Sequence, residues 1–118
     1  MCSELVVEDN VDIASSLAIA LELDGHVVET ANDGASGLMQ AATSSPRVVV
    51  LDVGLPKLDG VELARGLRQM HGDSVHLIAY TAQLDEDLTG RLVDAGVDDT
   101  IMKAAPVPEL LEAVRRWS

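Results

Sequence analysis

The sequence is poor in cysteine, in aromatic residues and in long apolar runs. Cys2 is its single cysteine, so no disulfide can form within the chain, which favours a reducing compartment. Tyr80 and Trp117 are its only aromatic residues, too few for a surface on which nucleic-acid bases stack. No apolar run approaches the roughly 18 residues of a membrane-spanning helix, and the first residues lack the basic region and apolar core of a signal peptide. These absences predict a cytoplasmic location without membrane insertion.

Basic residues are also scarce. Eight lysines and arginines stand against 20 aspartates and glutamates, which gives a formal net charge of −12. A surface this negative repels phosphate backbones and anionic membranes, so we expect no direct nucleic-acid binding. The chain has 118 residues, of which 47% are hydrophobic, and this suits one globular domain. We therefore predict a single domain over residues 1–118.

Short β-branched apolar runs alternate with segments of helical periodicity. The predicted strands are 5–7, 26–30, 47–51, 75–79 and 99–102. A helix is predicted after each strand, and the apolar stripes of the five helices are Ala14, Leu17, Ala18 and Leu21; Leu38, Ala41 and Ala42; Val61, Leu63, Ala64 and Leu67; Leu88, Leu92 and Val93; and Leu110, Leu111 and Val114. Asp33 and Asp59 are predicted helix N-caps. This order predicts an open α/β fold on a five-stranded parallel sheet, with helices on both faces.

Polar side chains follow four of the predicted strands. Glu8 and Asp9 follow the first strand, Asp52 the third, Thr81 the fourth and Lys103 the fifth. Because parallel strands end at one edge of a sheet, we expect these side chains to converge there. Taken singly, each is explained as well by a solvated loop or a helix cap. Asp52 is the exception, since it follows four apolar residues, where an unpartnered carboxylate is costly.

The charges of this set indicate a missing cation. Three carboxylates and one ammonium leave a formal charge of −2, which cannot persist at close range without compensation. Oxygen ligands suit Mg²⁺ (or Mn²⁺), so we predict that Glu8, Asp9 and Asp52 hold one such ion. The ion would also shield a carboxylate nucleophile from an incoming phosphoryl group. Asp52 would then form an aspartyl phosphate, with Lys103 pairing one phosphoryl oxygen and the Thr81 hydroxyl bonding another.

Four motifs in this order resemble the receiver domain of two-component response regulators. They are Val-Glu-Asp-Asn at 7–10, Leu-Asp-Val-Gly-Leu-Pro at 51–56 with Asp-Gly at 59–60, Ala-Tyr-Thr-Ala at 79–82, and Met-Lys at 102–103. The resemblance spans nearly the whole chain and implies a flavodoxin-like, doubly wound (βα)5 fold with strand order 2-1-3-4-5. It implies phosphoryl transfer to Asp52 from a histidine of a histidine kinase or a histidine phosphotransfer protein. It further implies a monomer or weak dimer that is a signalling domain, with only self-phosphorylation and slow self-dephosphorylation of its own.

The same resemblance implies roles for individual site residues. Asp9, Asp52 and the backbone carbonyl of Gly54 would bind Mg²⁺ directly, and Glu8 would act through water. The groups that would contact the phosphoryl group are the Thr81 hydroxyl, the Lys103 ammonium and the backbone of Ala82. The stretch that begins at Asp52 also looks similar to receivers fused to hybrid sensor kinases.

Two positions depart from the family pattern. Receivers usually follow the lysine with a proline in a cis peptide bond, whereas Ala104 follows Lys103 here. A cis bond to alanine costs about 2.5–4 kcal/mol, so the alternatives are a costly cis bond or a trans loop that aims Lys103 differently. We expect Lys103 to reach the site in either case. Thr100 stands at the switch position, where receivers commonly have Tyr or Phe, so the usual aromatic switch is expected to be absent or replaced.

Three other functions are weighed against this one. A phosphatase with an aspartyl-phosphate intermediate would place a second acid two residues after the nucleophile, where Gly54 stands. A flavin-binding module would place hydroxyl and N–H groups after the first strand, where Glu8 and Asp9 would repel a phosphate. An interaction-only pseudo-receiver would have lost the acid pair or Asp52, and all three acids are present.

The three histidines show no metal-ligand spacing. We therefore assign surface or strand-edge roles to His26, His71 and His76. Arg115 and Arg116 near the end of the last helix are explained by a favourable interaction with its dipole.

Overall fold

The structure is a computed structural model that describes residues 3–55 and 58–117, and within these ranges five strands alternate with five helices. The strands are β1 (Ser3–Val7), β2 (Val27–Ala31), β3 (Val48–Asp52), β4 (His76–Thr81) and β5 (Asp99–Met102). The helices are α1 (Val11–Leu23), α2 (Gly34–Ser44), α3 (Gly60–His71), α4 (Glu86–Asp94) and α5 (Val107–Trp117). The predicted order of elements is confirmed, and the strand bounds differ from the prediction by at most two residues. Cys2 lies outside the described residues, and so does Pro56 of the second motif.

The five strands form one parallel sheet in the order β2-β1-β3-β4-β5, as predicted. The chain changes direction across the sheet between β1 and β3, which are hydrogen-bonded neighbours. In such sheets the crevice outside the carboxyl ends of these two strands is the usual binding site. Their register pairs Val7 with Leu51, so the residues that follow them, Glu8 and Asp52, leave the sheet side by side.

The core consists of one apolar layer on each face of the sheet. One layer joins alternate strand residues to α2, α3 and α4, and includes Leu5, Val49, Leu51, Leu63, Leu67, Leu77 and Leu92. The other joins the intervening strand residues to α1 and α5, and includes Val6, Val50, Leu17, Leu21, Ile78, Tyr80, Leu110 and Val114. All residues of β3 and β4 are buried, which explains why these strands lack an apolar–polar alternation.

Two residues of the predicted apolar stripes are exposed, so their assignment to the core is wrong. Ala42 is exposed and Val93 is 65% exposed. Each directly follows a buried residue, Ala41 or Leu92, and one helical step of about 100° turns its side chain away from the sheet.

Helices α2 and α3 begin where the sequence predicts, at side chains that accept backbone N–H bonds. Asp33 accepts from the backbone N–H of Ser36 at 2.8 Å, and Asp59 accepts from that of Glu62 at 2.9 Å. The cap at Asp59 fixes the start of α3 beside the end of β3, and so beside Asp52.

A buried contact between a carboxylate and an imidazole lies at the amino-terminal edge of the sheet, far from the residues that follow the strands. Glu4 on β1 is 1% exposed, and its Oε1 lies 2.7 Å from Nδ1 of His26. Nε2 of His26 lies 3.6 Å from Asp24, which Arg115 holds through two bonds of 2.6 and 2.7 Å. Burial raises the pKa of Glu4, although His26 and Arg47 act in the opposite direction. The sequence predicts a surface or strand-edge role for His26 and a dipole interaction for Arg115, and it does not predict this network. The network ties the α1–β2 turn to β1 and α5.

We expect His26→Leu to destabilise the fold by about 2–4 kcal/mol, because it removes the closest partner of a buried carboxylate. The double variant Glu4→Leu/His26→Leu should recover most of that loss, since replacing both members of a buried pair with apolar residues is often nearly neutral. Urea unfolding of the two variants and of the wild type measures both effects. Equal or additive losses in the double variant would contradict the assignment of Glu4 and His26 as a buried pair.

Candidate functional site

The predicted site residues meet at the carboxyl edge of the sheet. Glu8 follows β1 and is 2% exposed, Asp52 ends β3 and is 8% exposed, and Asp9 is exposed to solvent. One carboxylate oxygen from each of these three residues lies within 4.8 Å of the others. The structure therefore brings together the three carboxylates that the sequence assigns to a cation.

Lys103 reaches this cluster from the end of β5. Its Nζ lies 2.7 Å from Oε1 of Glu8 and 3.3 Å from Oδ2 of Asp52. Its backbone N–H donates to the carbonyl of Thr81 at 2.7 Å, which fixes the start of the loop. The described residues contain no cis peptide bond, so the bond to Ala104 is trans. Of the two alternatives for this loop, the trans form is present, and the ammonium still lies over the carboxylates.

The pKa values of Glu8 and Lys103 are both raised by their surroundings in the cluster. Burial raises the pKa of Glu8, the neighbouring Asp9 and Asp52 raise it further, and Lys103 and the N–H of Asn10 only partly oppose them. Burial alone would lower the pKa of Lys103, but the bond to Glu8 and the charge of Asp52 raise it above its usual range. Burial is the main cause for Glu8, and the neighbouring carboxylates raise the pKa of both groups because one ammonium does not compensate three carboxylates.

The donor set fits a hard divalent cation that binds oxygen. Both oxygens of Glu8 are engaged by the protein, Oε1 by Lys103 and Oε2 by the N–H of Asn10 at 3.0 Å. Asp9 is exposed, and Oδ1 of Asp52 accepts, among the residues the structure describes, the N–H of Gly54 at 3.2 Å. Carboxylates with such spare capacity suit Mg²⁺, which keeps several of its waters. Asp9 and Asp52 are therefore better placed for direct contact with a cation than Glu8 is.

A groove of about 660 Å³ opens beside the acidic cluster. Its walls include Asp52, Gly54, Thr81, Ala82 and Lys103. The Thr81 hydroxyl donates to the carbonyl of Gln83 at 2.9 Å, so it is engaged by the loop that follows β4. Among the predicted site residues, Glu8, Asp9 and Thr100 do not line this groove. Thr100 is half-buried on β5, beside Ala79.

Asn32 is a neighbour of the site that the sequence analysis misses. Its Nδ2 donates to the backbone carbonyl of Glu8 at 3.3 Å, which supports the chain where it leaves β1. Asn32 directly follows β2, so the reasoning from strand ends that finds Asp52 would also have found it.

Close packing at Gly60 fixes the position of Asp52. A Cβ at Gly60 would lie 2.6 Å from the backbone oxygen of Asp52 and 2.6 Å from Cα of Val53. We expect Gly60→Ala to destabilise the fold by about 1–3 kcal/mol, since backbone atoms must move to admit the methyl group. Gly90→Ala is the matched control, because a Cβ at Gly90 on α4 would meet no neighbouring atom within 4 Å. This variant should stabilise the fold by about 0.5–1 kcal/mol. Urea unfolding distinguishes the two, and equal effects would contradict the close approach.

Comparison with known proteins places the chain in a family. The family model of the response regulator receiver domain matches residues 5–115. The chain therefore belongs to the response regulator receiver domain family. Among individual relatives, transcriptional regulatory protein PrrA of Mycobacterium tuberculosis is 38% identical over 112 residues, which cover 94% of this chain and 47% of that protein. Response regulator MprA of Mycobacterium leprae is 39% identical over 113 residues, covering 94% of this chain and 48% of that protein.

Solved structures show the same fold. The CheY-like receiver domain protein of Methanospirillum hungatei superposes with a TM-score of 0.93 at 26% identity, covering 98% of this chain and 92% of that chain. The receiver domain of the Francisella response regulator 1452 gives a TM-score of 0.90 at 26% identity, covering 99% of this chain and 96% of that chain. The predicted flavodoxin-like fold is thereby confirmed, and the chain is a two-component signalling domain.

The chain matches only part of each curated relative. The chain spans about half the length of PrrA and MprA. No helix among the described residues is long and apolar enough to cross a membrane. The resemblance to receivers fused to hybrid sensor kinases stays a prediction, because PrrA and MprA are named as regulators.

Proposed function

We propose that Asp52 accepts a phosphoryl group from a phosphohistidine, on a histidine kinase or a histidine phosphotransfer protein, in a reaction that needs Mg²⁺ (or Mn²⁺). One observation carries the proposal. The nearly buried Asp52 carboxylate opens onto a groove and lies close to two further carboxylates and to the ammonium of Lys103. In the reaction a carboxylate oxygen of Asp52 forms a bond to phosphorus as the bond from phosphorus to the histidine nitrogen breaks.

Asp9, Asp52 and the backbone carbonyl of Gly54 would hold the metal ion directly. Glu8 would act through a bound water, because Nζ of Lys103 lies 2.7 Å from one of its oxygens and the N–H of Asn10 donates to the other. When bound, Mg²⁺ supplies positive charge that offsets the surplus negative charge of the cluster and the negative charge of the phosphoryl oxygens. Gly54 lies close to Asp52, since its N–H donates to Oδ1.

Three groups at the groove would contact the transferred phosphoryl group. Lys103 would exchange Glu8 for a phosphoryl oxygen, and Thr81 would exchange the carbonyl of Gln83 for another. The backbone N–H of Ala82, on the same groove, would donate to a third. Gly54 has no side chain to activate a water, so self-dephosphorylation is expected to be slow. This favours a signalling domain over a phosphatase.

Thr100 has no ring that could turn inward when Thr81 changes partner. We expect phosphorylation to produce small amide shift changes in α4, β5 and α5 compared with those next to Asp52. Two-dimensional ¹H–¹⁵N NMR spectra of the Mg²⁺-bound protein, with and without phosphorylation, measure this directly. Large changes across α4, β5 and α5 would show that another side chain replaces the aromatic switch.

The proposed partners follow from the same chemistry. A phosphohistidine donor has to present its imidazole to the open groove beside Asp52. The domain itself is expected to make no direct contact with nucleic acid, because its formal charge is −12. The output of any longer protein that contains this domain would depend on segments beyond it. A monomer or weak dimer and a cytoplasmic location stay predictions.

Intact-protein mass spectrometry tests the proposed function. The protein is incubated with acetyl phosphate, a small phosphodonor, with Mg²⁺ and in parallel with excess EDTA. A stable gain of one phosphoryl group with Mg²⁺ and none with EDTA is the expected result. No gain with Mg²⁺, or steady release of phosphate without a stable adduct, would reject the proposal.

A further inference from the structure

Lys103 has less backbone restraint than the usual receiver motif gives its lysine. It is followed by Ala104 and Ala105, and the bond after it is trans. The backbone bond to Thr81 fixes its main chain, but its long side chain must be directed by what it contacts. Two of those contacts, Glu8 and Asp52, belong to the acidic cluster and would change when a phosphoryl group binds.

The third contact is an aromatic ring. Nζ of Lys103 lies over the ring of Tyr80, 5.9 Å from its centre. An ammonium in this position is attracted by the negative face of the ring. Tyr80 directly precedes Thr81 on β4, and it is the single tyrosine of the chain.

The ring of Tyr80 is itself held in place. Tyr80 is 7% exposed and belongs to the apolar layer beneath α1 and α5, together with Leu17, Leu110 and Val114. In the sheet it pairs in register with Ile101, two residues before Lys103. The position of the ring beside the end of β5 is thus set by packing and by strand pairing, neither of which involves a carboxylate of the site.

We propose that Tyr80 is a positioning residue, whose ring holds the Lys103 ammonium at the acceptor site while that ammonium changes from Glu8 to a phosphoryl oxygen. The inference rests on the proposed phosphoryl transfer to Asp52 and adds a residue to it. The contact with the ring is present before transfer, and the ring itself carries no charge that phosphorylation would change. It therefore limits how far Lys103 can move away when its bond to Glu8 breaks.

The test compares Tyr80→Phe, which keeps the ring, with Tyr80→Leu, which removes it. The initial rate of phosphorylation by acetyl phosphate with Mg²⁺ should be unchanged within about 1.5-fold in the first variant and about twofold to fivefold slower in the second. Ile78→Val is the matched control, because Ile78 is fully buried on the same face of β4, two residues earlier, and should keep the wild-type rate. If Tyr80→Leu keeps the wild-type rate, the proposal is wrong.

Repeating the comparison in a Lys103→Met variant separates positioning of the ammonium from mere support of the fold. In Lys103→Met the ammonium is absent, so adding Tyr80→Leu should slow the remaining phosphorylation no further. An equal slowing with and without the ammonium would show that Tyr80 acts through the fold and not through Lys103, and would overturn the inference.

A measurement without phosphorylation keeps the two proposals distinguishable. Ring currents should shift the ε-methylene ¹H resonance of Lys103 upfield in the wild type and in Tyr80→Phe, relative to Tyr80→Leu. The same resonance position in all three proteins would overturn the placement of Lys103 over the ring. A wild-type protein that shows the ring-current shift but gains no phosphoryl group would reject the phosphoacceptor role while retaining the contact between Tyr80 and Lys103.

Discussion

Asp52→Asn is expected to take up no phosphoryl group under conditions in which the wild-type protein takes up one. The carboxamide has nearly the same shape as the carboxylate but is not a competent nucleophile towards phosphorus. The fold should persist, because the substitution removes one of three crowded negative charges and leaves an oxygen to accept the N–H of Gly54. Intact-protein mass after incubation with acetyl phosphate and Mg²⁺ gives the result.

Asp59→Asn is the matched control for this experiment. Asp59 caps α3 by accepting from the N–H of Glu62, and asparagine caps helices about as well as aspartate. This variant should therefore be phosphorylated like the wild type. A full phosphoryl gain in Asp52→Asn, or an equal loss in both variants, would contradict the assignment of Asp52 as acceptor.

Asp9→Asn is expected to weaken Mg²⁺ binding by at least about tenfold, because loss of even an outer-shell partner of a metal ligand typically costs that much. Asp9 is the exposed member of the acidic cluster, and the substitution reduces the formal charge of the cluster from −2 to −1. Isothermal titration with Mg²⁺ measures the affinity. Phosphorylation by acetyl phosphate should slow in parallel at low Mg²⁺ concentration and partly recover at high concentration.

Asp12→Asn provides the comparison for the metal experiment. Asp12 is also exposed and lies only three residues further along the chain, in the first turn of α1, but it is not part of the acidic cluster. Its Mg²⁺ affinity should match the wild type within about twofold, since solvent and salt screen exposed charges. Equal weakening in both variants would point to a diffuse effect of surface charge and would contradict a site at Asp9.

The architecture and the convergence of the site residues could be predicted from the sequence because both depend on local periodicity. Apolar runs at 47–51 and 75–79 have the length and β-branched composition of buried strands, and parallel strands necessarily end at one edge. That rule puts Asp52 and Lys103 at the same edge, on either side of β4, and the structure places their charged atoms 3.3 Å apart. Register in the sheet adds the position of Glu8 next to Asp52.

Contacts between distant side chains could not be predicted in the same way. Arg68 on α3 donates to the carbonyls of Gly72, Val75 and Gly96 and to Asp98, which joins the α4–β5 connection to the segment before β4. The position of Arg68 in the helical periodicity of the sequence does not predict these partners. The trans loop after Lys103 is a similar case, since the departure from the usual proline leaves two loop forms open until the fold places the lysine over the carboxylates.

The buried pair of Glu4 and His26 shows a further limit of pattern reasoning. A glutamate in a strand of apolar residues is usually explained by exposure, and a lone histidine before an edge strand by contact with solvent. Here each buries the other, because the turn after α1 brings His26 to 2.7 Å from Glu4 on β1. Such a pair is recognised only when both positions are known in space.

The most direct test of the account is to locate the phosphoryl group chemically. Borohydride reduces an acyl phosphate, so treatment of the phosphorylated protein converts the modified aspartate to homoserine, which peptide mass spectrometry can locate. The account predicts homoserine at position 52 when acetyl phosphate and Mg²⁺ are both present, and at no position when EDTA replaces Mg²⁺. Reduction at Asp9, or a phosphoryl group that resists borohydride and lies on a histidine, would contradict Asp52 as the acceptor.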